Sequence, residues 1–173
     1  MNALALLVAT AVAAADAAPL TNVELKNATA EWIDACAPSL TSEAGEVTCP
    51  PVDRAACDAV EAKYGSIGTW DVSEVTSMAG LFEDAACFDT SLATWDARLV
   101  QDVSEMFHGA AKFDSALPVF GTATLTDVSS MFEFATIFNQ AVDALDTSAV
   151  TTMSRMFRSA EGFNQRVDTW DTS

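Results

Sequence analysis

VTSMAGLF (75–82), VQDVSEMF (100–107), LTDVSSMF (125–132) and VTTMSRMF (150–157) each begin 25 residues after the last, with no insertion or deletion between them. A fixed period of this length marks a chain whose units bury their apolar faces against one another. The columns extend beyond the quoted stretch. Trp70, Trp95, Phe120, Leu145 and Trp170 open the units, and Leu92, Leu117, Val142 and Val167 close them. Between them run two all-phenylalanine columns, Phe82, Phe107, Phe132, Phe157 and Phe88, Phe113, Phe138, Phe163. No single unit can bury such a set without a partner layer. The expected fold class is therefore a repeat solenoid, leucine-rich-repeat-like, whose units contact only their neighbours.

Within a unit the apolar spacing resembles one face of a helix more than an alternating strand. It predicts a short parallel strand near Val75–Met78 and a helical turn over Ser104–Gly109. Ser104, Ser129 and Ser154 are placed as N-caps of such turns, and extended backbone is expected from Phe113 to Leu117. The solenoid is expected over 67–173, with units at 70–94, 95–119, 120–144 and 145–169 and the start of a fifth. The closing WDTS (170–173) reads as an uncovered end. It predicts a continuing chain, a truncated one, or self-association through the open C-terminal unit.

Ahead of the periodic region, residues 1–17 read as a signal peptide, an apolar run closing on the small-x-small triplet Ala15-Asp16-Ala17. A buried N-terminal helix is the alternative. The run is shorter than the ~20 apolar residues of a membrane span, so no span is expected once the signal is removed. Residues 18–66 predict an α-helical N-terminal cap with a cysteine-containing loop. Its first helix is opened by a Thr21–Glu24 capping box with Leu20 and Leu25 as a hydrophobic staple. Its second runs from Arg54 to Tyr64, capped by Asp53 and ended by Gly65.

The stretches TWDVSEVTSMAGLFEDAACFDTSLATWD and LDTSAVTTMSRMFRSAEGFNQRVDTWDTS resemble the repeat of the BspA-like leucine-rich-repeat surface proteins. That repeat occurs in mycoplasma surface lipoproteins and in secreted proteins of marine algae. The resemblance covers Ile67 to Ser173, and LTNVELKNATAEWI (20–33) is similar to the helix that precedes the first repeat in such chains. It implies a leucine-rich-repeat-like fold, secretion or display on the cell surface, and a part in attachment or recognition. It implies no catalytic residues.

Eight basic residues stand against 25 acidic ones, a formal charge of −17. Phosphate neutralisation is out of reach, which excludes nucleic acid as partner. Strong acidity suits solubility outside the cell and also attracts cations. Asp71, Asp96, Asp146 and Asp171 form an acidic column interrupted by Gly121. Calcium is conceivable there, but the favoured reading has each carboxylate bonding its own turn, so no cofactor is expected. In the column Asp89, Asp114, Asn139, Asn164, Asp and Asn interchange. A side-chain oxygen, not charge, is what that position requires. Cys36, Cys49, Cys57 and Cys87 fit no metal-binding spacing and predict two disulfides with three connectivities open. Cys87 is placed to tie the first unit to the cap, and a buried free thiol is the alternative. Asn27-Ala28-Thr29 is an N-glycosylation sequon within the first expected helix.

His108 is the sole histidine, in a column with Glu83, Glu133 and Arg158 that reads as a solvated face. No nucleophile or phosphate-loop motif accompanies it, so no enzyme is expected. The units differ most in the third and fourth. Phe134 and Ile137 stand where other units carry small or polar residues, and Arg155, Arg158 and Arg166 lie close in sequence. These five form the candidate binding patch. Loop packing with an Arg158–Glu133 pair is the alternative. The expected function is a non-catalytic, secreted or cell-surface protein of adhesion or recognition, with an extracellular protein or glycan as partner. The alternatives are a structural spacer or cell-wall component, and an acidic cation-binding matrix protein.

Overall fold

The computed structural model describes residues 18–41, 47–121 and 123–170. The signal-peptide reading of 1–17 and Asp171 lie outside the described residues. The chain opens with α1 (Asn22–Cys36), followed by β1 (Leu40–Thr41), β2 (Val47–Thr48) and α2 (Arg54–Tyr64). Thr21 and Glu24 close a reciprocal capping box, so two of the donors orphaned at the start of α1 are satisfied at once. Asp53 accepts from the N–H groups of Ala55 and Ala56 to start α2. Gly65, at φ 79°, ends α2 in a conformation that favours glycine. Leu25, Ala28, Thr29 and Trp32 are the buried face of α1. Lys63 and Tyr64 of α2 both reach Glu31 of α1, at 2.8 and 2.9 Å. A Cys36–Cys57 disulfide joins the two helices, and Cys49–Cys87 ties the β2 segment to the chain beyond them.

After a 3-10 turn at Ile67–Thr69, regular structure nearly vanishes. Here the expected fold class must be corrected. The leucine-rich-repeat-like solenoid of short parallel strands and helical turns does not form. The described residues hold two helices, the 3-10 turn, an antiparallel β1–β2 pair and a parallel pair of β3 (Asp96–Ala97) with β4 (Val119–Phe120), every strand two residues long. Near Val75–Met78 there is no strand, only isolated single-residue bridges linking Ser77, Asp102, Asp127 and Thr152. Phe113–Leu117 carries no strand either, and β4 begins after it.

Backbone handedness is the physical reason. Gly80, Glu105, Ser130 and Arg155 have φ of 62°, 58°, 52° and 60°. Asp84, Gly109, Phe134 and Ser159 have φ of 56°, 68°, 61° and 58°. A right-handed helical turn over Ser104–Gly109 cannot contain left-handed Glu105, and left-handed Gly80, two residues past Met78, stops extended backbone from continuing there. Nor do Ser104 and Ser129 serve as caps. Asp102 Oδ1 accepts from both N–H and O–H of Ser104, and Asp127 Oδ1 does the same for Ser129.

The sequence period is met instead by single backbone bonds between turns. The N–H groups of Met78, Gly80, Phe82 and Asp84 donate to the carbonyls of Asp102, Ser104, Met106 and His108 at 2.8–2.9 Å. Val103, Glu105, Phe107 and Gly109 donate in the same way to Asp127, Ser129, Met131 and Glu133. Val128, Ser130, Phe132 and Phe134 donate to Thr152, Ser154, Met156 and Arg158. Alternate N–H groups close tight turns, as from Leu81 to Met78 and from Met106 to Val103. Every second peptide is thus free to face the neighbouring turn.

This register stacks the phenylalanines. Phe82, Phe107, Phe132 and Phe157 lie 5.4–5.6 Å apart in nearly parallel planes. Phe88, Phe113, Phe138 and Phe163 follow at 5.6–6.1 Å. The two files zip together at 3.8–4.0 Å within each turn. The first six of these rings are fully buried and Phe157 and Phe163 are half-buried. Trp32 of α1 meets Phe88 edge-on at 5.8 Å, joining the helices to the same core. Asn22 completes the join. Its Oδ1 accepts from Thr76 N at 2.9 Å, standing where Thr76 O, Gln101 O and Thr126 O accept from Gln101, Thr126 and Thr151.

Candidate functional site

The second left-handed column generates the most unusual surface of the molecule. Glycine and aspartate tolerate this backbone region at small cost, and a bulky aromatic does not. At Gly109 an added Cβ would lie 2.4 Å from Asp84 Oδ1, so the exposed Asp84 side chain would have to move aside. Phe134 occupies the same place one turn later, at φ 61°, where L-residues carry a strain of about 1–2 kcal/mol. Its N–H is fixed by Arg158 O at 2.9 Å, so the backbone holds the conformation. The ring is 40% exposed. It lies edge-on to His108 at 5.6 Å, and the Arg158 guanidinium sits 5.5 Å from its centre.

Beneath the ridge is a buried carboxylate. Glu133 is 4% exposed, which departs from the expected solvated face at this one position, while Glu83 and Arg158 of the same column are exposed. Burial is tolerated because both oxygens are paired. Oε2 accepts from Ser130 Oγ and Oε1 from Arg158, each at 2.7 Å. The Ser130 hydrogen bond, followed by Arg158, holds the Glu133 carboxyl below its ordinary value. His108 Nδ1 lies 3.7 Å from Asp84 Oδ1 and has no hydrogen-bond partner among the described residues.

Of the five residues of the candidate patch, the structure brings Phe134 and Arg158 into contact. Ile137, 46% exposed, belongs to the same turn. Its backbone is pressed against Gly162, whose Cβ would lie 3.0 Å from three Ile137 atoms. Arg155 is exposed at a left-handed position. Arg166 goes elsewhere. It pairs with Asp168 and lines a separate cavity of about 380 Å³ with Asp143 and Gln165. The anticipated Arg158–Glu133 pair and an exposed Phe134 coexist, so the two readings were not exclusive. His108, Ser130 and Asp84 were missed as neighbours of the patch. Two of the four residues at 84, 109, 134 and 159, Asp84 and Gly109, are types suited to positive φ, and that was the available signal.

The other sequence sites resolve into structural roles. Asp114 N, Asn139 N and Asn164 N donate to the side-chain oxygens of Asp89, Asp114 and Asn139 at 2.8–3.0 Å. Asp71 and Asp146 accept from the side chain and backbone of Ser73 and Ser148, which lowers both pKa values, while Asp96 accepts from Arg98 N. Among the described residues no group of three or more potential metal ligands occurs. The four cysteines form the two disulfides given above. Asn27 is exposed on α1, but Thr29 of its sequon is fully buried.

Residues 117–173 match a family described as Mycoplasma protein of unknown function, DUF285. This supports the resemblance loosely and over a shorter stretch than Ile67 to Ser173. No curated protein and no solved structure matches the chain. No described helix is long and apolar enough to cross a membrane.

Proposed function

We propose that the protein is a non-catalytic recognition or adhesion protein of the cell exterior, engaging an extracellular protein or glycan through the ridge formed by Phe134, Ile137 and Arg158. One observation carries the reading. Phe134 holds a bulky ring in a left-handed conformation and leaves it 40% exposed. Strain of this kind persists where the surroundings impose it, and it clusters at functional positions. An exposed aromatic beside an arginine is also the composition of binding hot spots. Two disulfides support an oxidising, extracellular location. The described carboxylates with shifted pKa values, Glu24, Glu31, Asp71, Glu133, Asp146 and Asp168, are all used in internal hydrogen bonds, which supports the non-catalytic reading.

The test is Phe134→Gly, which installs the residue that Gly109 already supplies. The whole chain and the variant are compared on immobilised extracellular-matrix proteins and on a glycan array. The expected result is an unchanged or higher melting temperature with loss of binding. Retained binding, or a melting temperature lowered by more than about 4 °C, would make Phe134 a structural residue and refute the proposal.

A further inference from the structure

A second departure from the period opens a cavity on another part of the chain. Trp95 Nε1 donates to the Ile67 carbonyl at 2.7 Å, and Trp170 Nε1 donates to the Val142 carbonyl at 3.2 Å. In each case the indole reaches a carbonyl 28 residues back. By the same register, residue 145 faces the Leu117 carbonyl, and residue 145 is leucine. The carbonyls of Ile67, Leu92 and Val142 also accept the backbone N–H three residues on, from Trp70, Trp95 and Leu145. Leu117 O has no such bond, because Pro118, Val119 and Phe120 leave the turn and β4 pairs with β3 instead. Among the described residues no donor reaches Leu117 O.

Both ends of the missing interaction line one cavity. Leu117, Pro118, Val119, Phe120, Val142 and Leu145 bound a volume of about 460 Å³, within the range of about 300–1,000 Å³ typical of small-molecule sites. Its wall is mainly apolar, with Gln140 its one polar side chain, and an unpaired carbonyl is its natural anchor for a donor. We infer that this cavity binds a flat aromatic heterocycle with a free ring N–H, of the indole class. The ring packs on Phe120, Val142 and Leu145, and the N–H donates to Leu117 O. The ligand replaces the indole that Trp95 and Trp170 supply from within the chain. This site shares no residue with the Phe134 ridge and stands independently of it.

The experiment titrates the full chain with indole, 1-methylindole and N-acetyltryptophanamide, following the methyl resonances of Leu117, Val142 and Leu145 by NMR. Indole is expected to shift those three methyl groups. 1-Methylindole, which lacks the donor, is expected to bind about fivefold more weakly, the effect of one neutral hydrogen bond. Binding of N-acetyltryptophanamide with the same shifts assigns the site to a tryptophan side chain of a partner, and binding of indole alone assigns it to a free heterocycle. Leu145→Trp fills the cavity from within and is expected to abolish the shifts while melting no lower than the native chain. Should that variant fail to fold, the N-methyl comparison on the native chain decides. Absence of shifts with indole, shifts mapping elsewhere, or equal affinity for 1-methylindole would overturn the proposal.

Discussion

Phe107 stands at the centre of the stacked rings, and truncating it tests the core most directly. It is fully buried, with Phe113 at 4.0 Å, Phe82 at 5.4 Å, Phe132 at 5.6 Å and Phe88 at 6.4 Å. Phe107→Ala removes a ring enclosed on all sides, a change that costs about 3–5 kcal/mol through lost transfer energy and the cavity left behind. For a chain of this length, such a loss lowers the melting temperature by about 6–20 °C. Phe157 occupies the same column but is half-buried, with Phe163 at 3.8 Å, Phe132 at 5.5 Å and Trp170 at 6.0 Å. Phe157→Ala should cost roughly half as much, because the hydrophobic contribution scales with the apolar area removed from water. Both positions lie beyond the two disulfide loops, so the unfolded chains carry the same cross-links. Urea unfolding of both variants under non-reducing conditions, followed by circular dichroism, gives the comparison. A cost for Phe157→Ala equal to that for Phe107→Ala would refute the burial gradient. A cost for Phe107→Ala below about 1.5 kcal/mol would refute the closed packing of the column.

Two further perturbations have worked directions. At Gly121 an added Cβ would lie 2.3 Å from the Arg98 carbonyl oxygen, so Gly121→Ala should cost about 1–3 kcal/mol through forced backbone movement. Gly68→Ala, whose Cβ would meet only Thr94 Oγ1 at 3.5 Å, should stay within about 0.5 kcal/mol, and equal urea midpoints for the two would sink the argument. Glu133 has its pKa lowered in the folded chain from an ordinary value of 4.5. Its contribution is therefore fully present above that value and is lost as pH falls through the lowered one. Melting temperature measured from pH 7 to pH 2 should fall less steeply in Glu133→Gln than in the native chain, and parallel curves would remove Glu133 from the acid response.

How much could be read in advance differs from element to element. The ends of α2 and the capping box of α1 were legible because capping is decided by residues three or four positions apart. The Asp89–Asn164 column was legible because interchange of Asp and Asn excludes a charge requirement. The Phe134 ridge was legible only as an anomaly of pattern. Its strain, and its contacts with His108 and Arg158, depend on a backbone angle and on residues 24 to 26 positions away. Gly121 was read as a missing carboxylate, whereas the approach of Arg98 O leaves no room for any side chain there.

By itself the sequence determined the period, the apolar columns from which the core is drawn, the two helices and the acidic, cysteine-containing character of the chain, although Val167 of the closing column is 41% exposed. Each follows from residue type and short spacing. The tertiary structure alone decided the conformation inside each period. Apolar spacing favoured strands and helical turns, but left-handed residues at two places per turn replaced both with tight turns bridged by single hydrogen bonds. That choice is made by peptide orientation across neighbouring turns, which no local pattern of side chains records. Disulfide partners were decided at the same level, since four cysteines permit three pairings and only proximity in space selects Cys36–Cys57 and Cys49–Cys87.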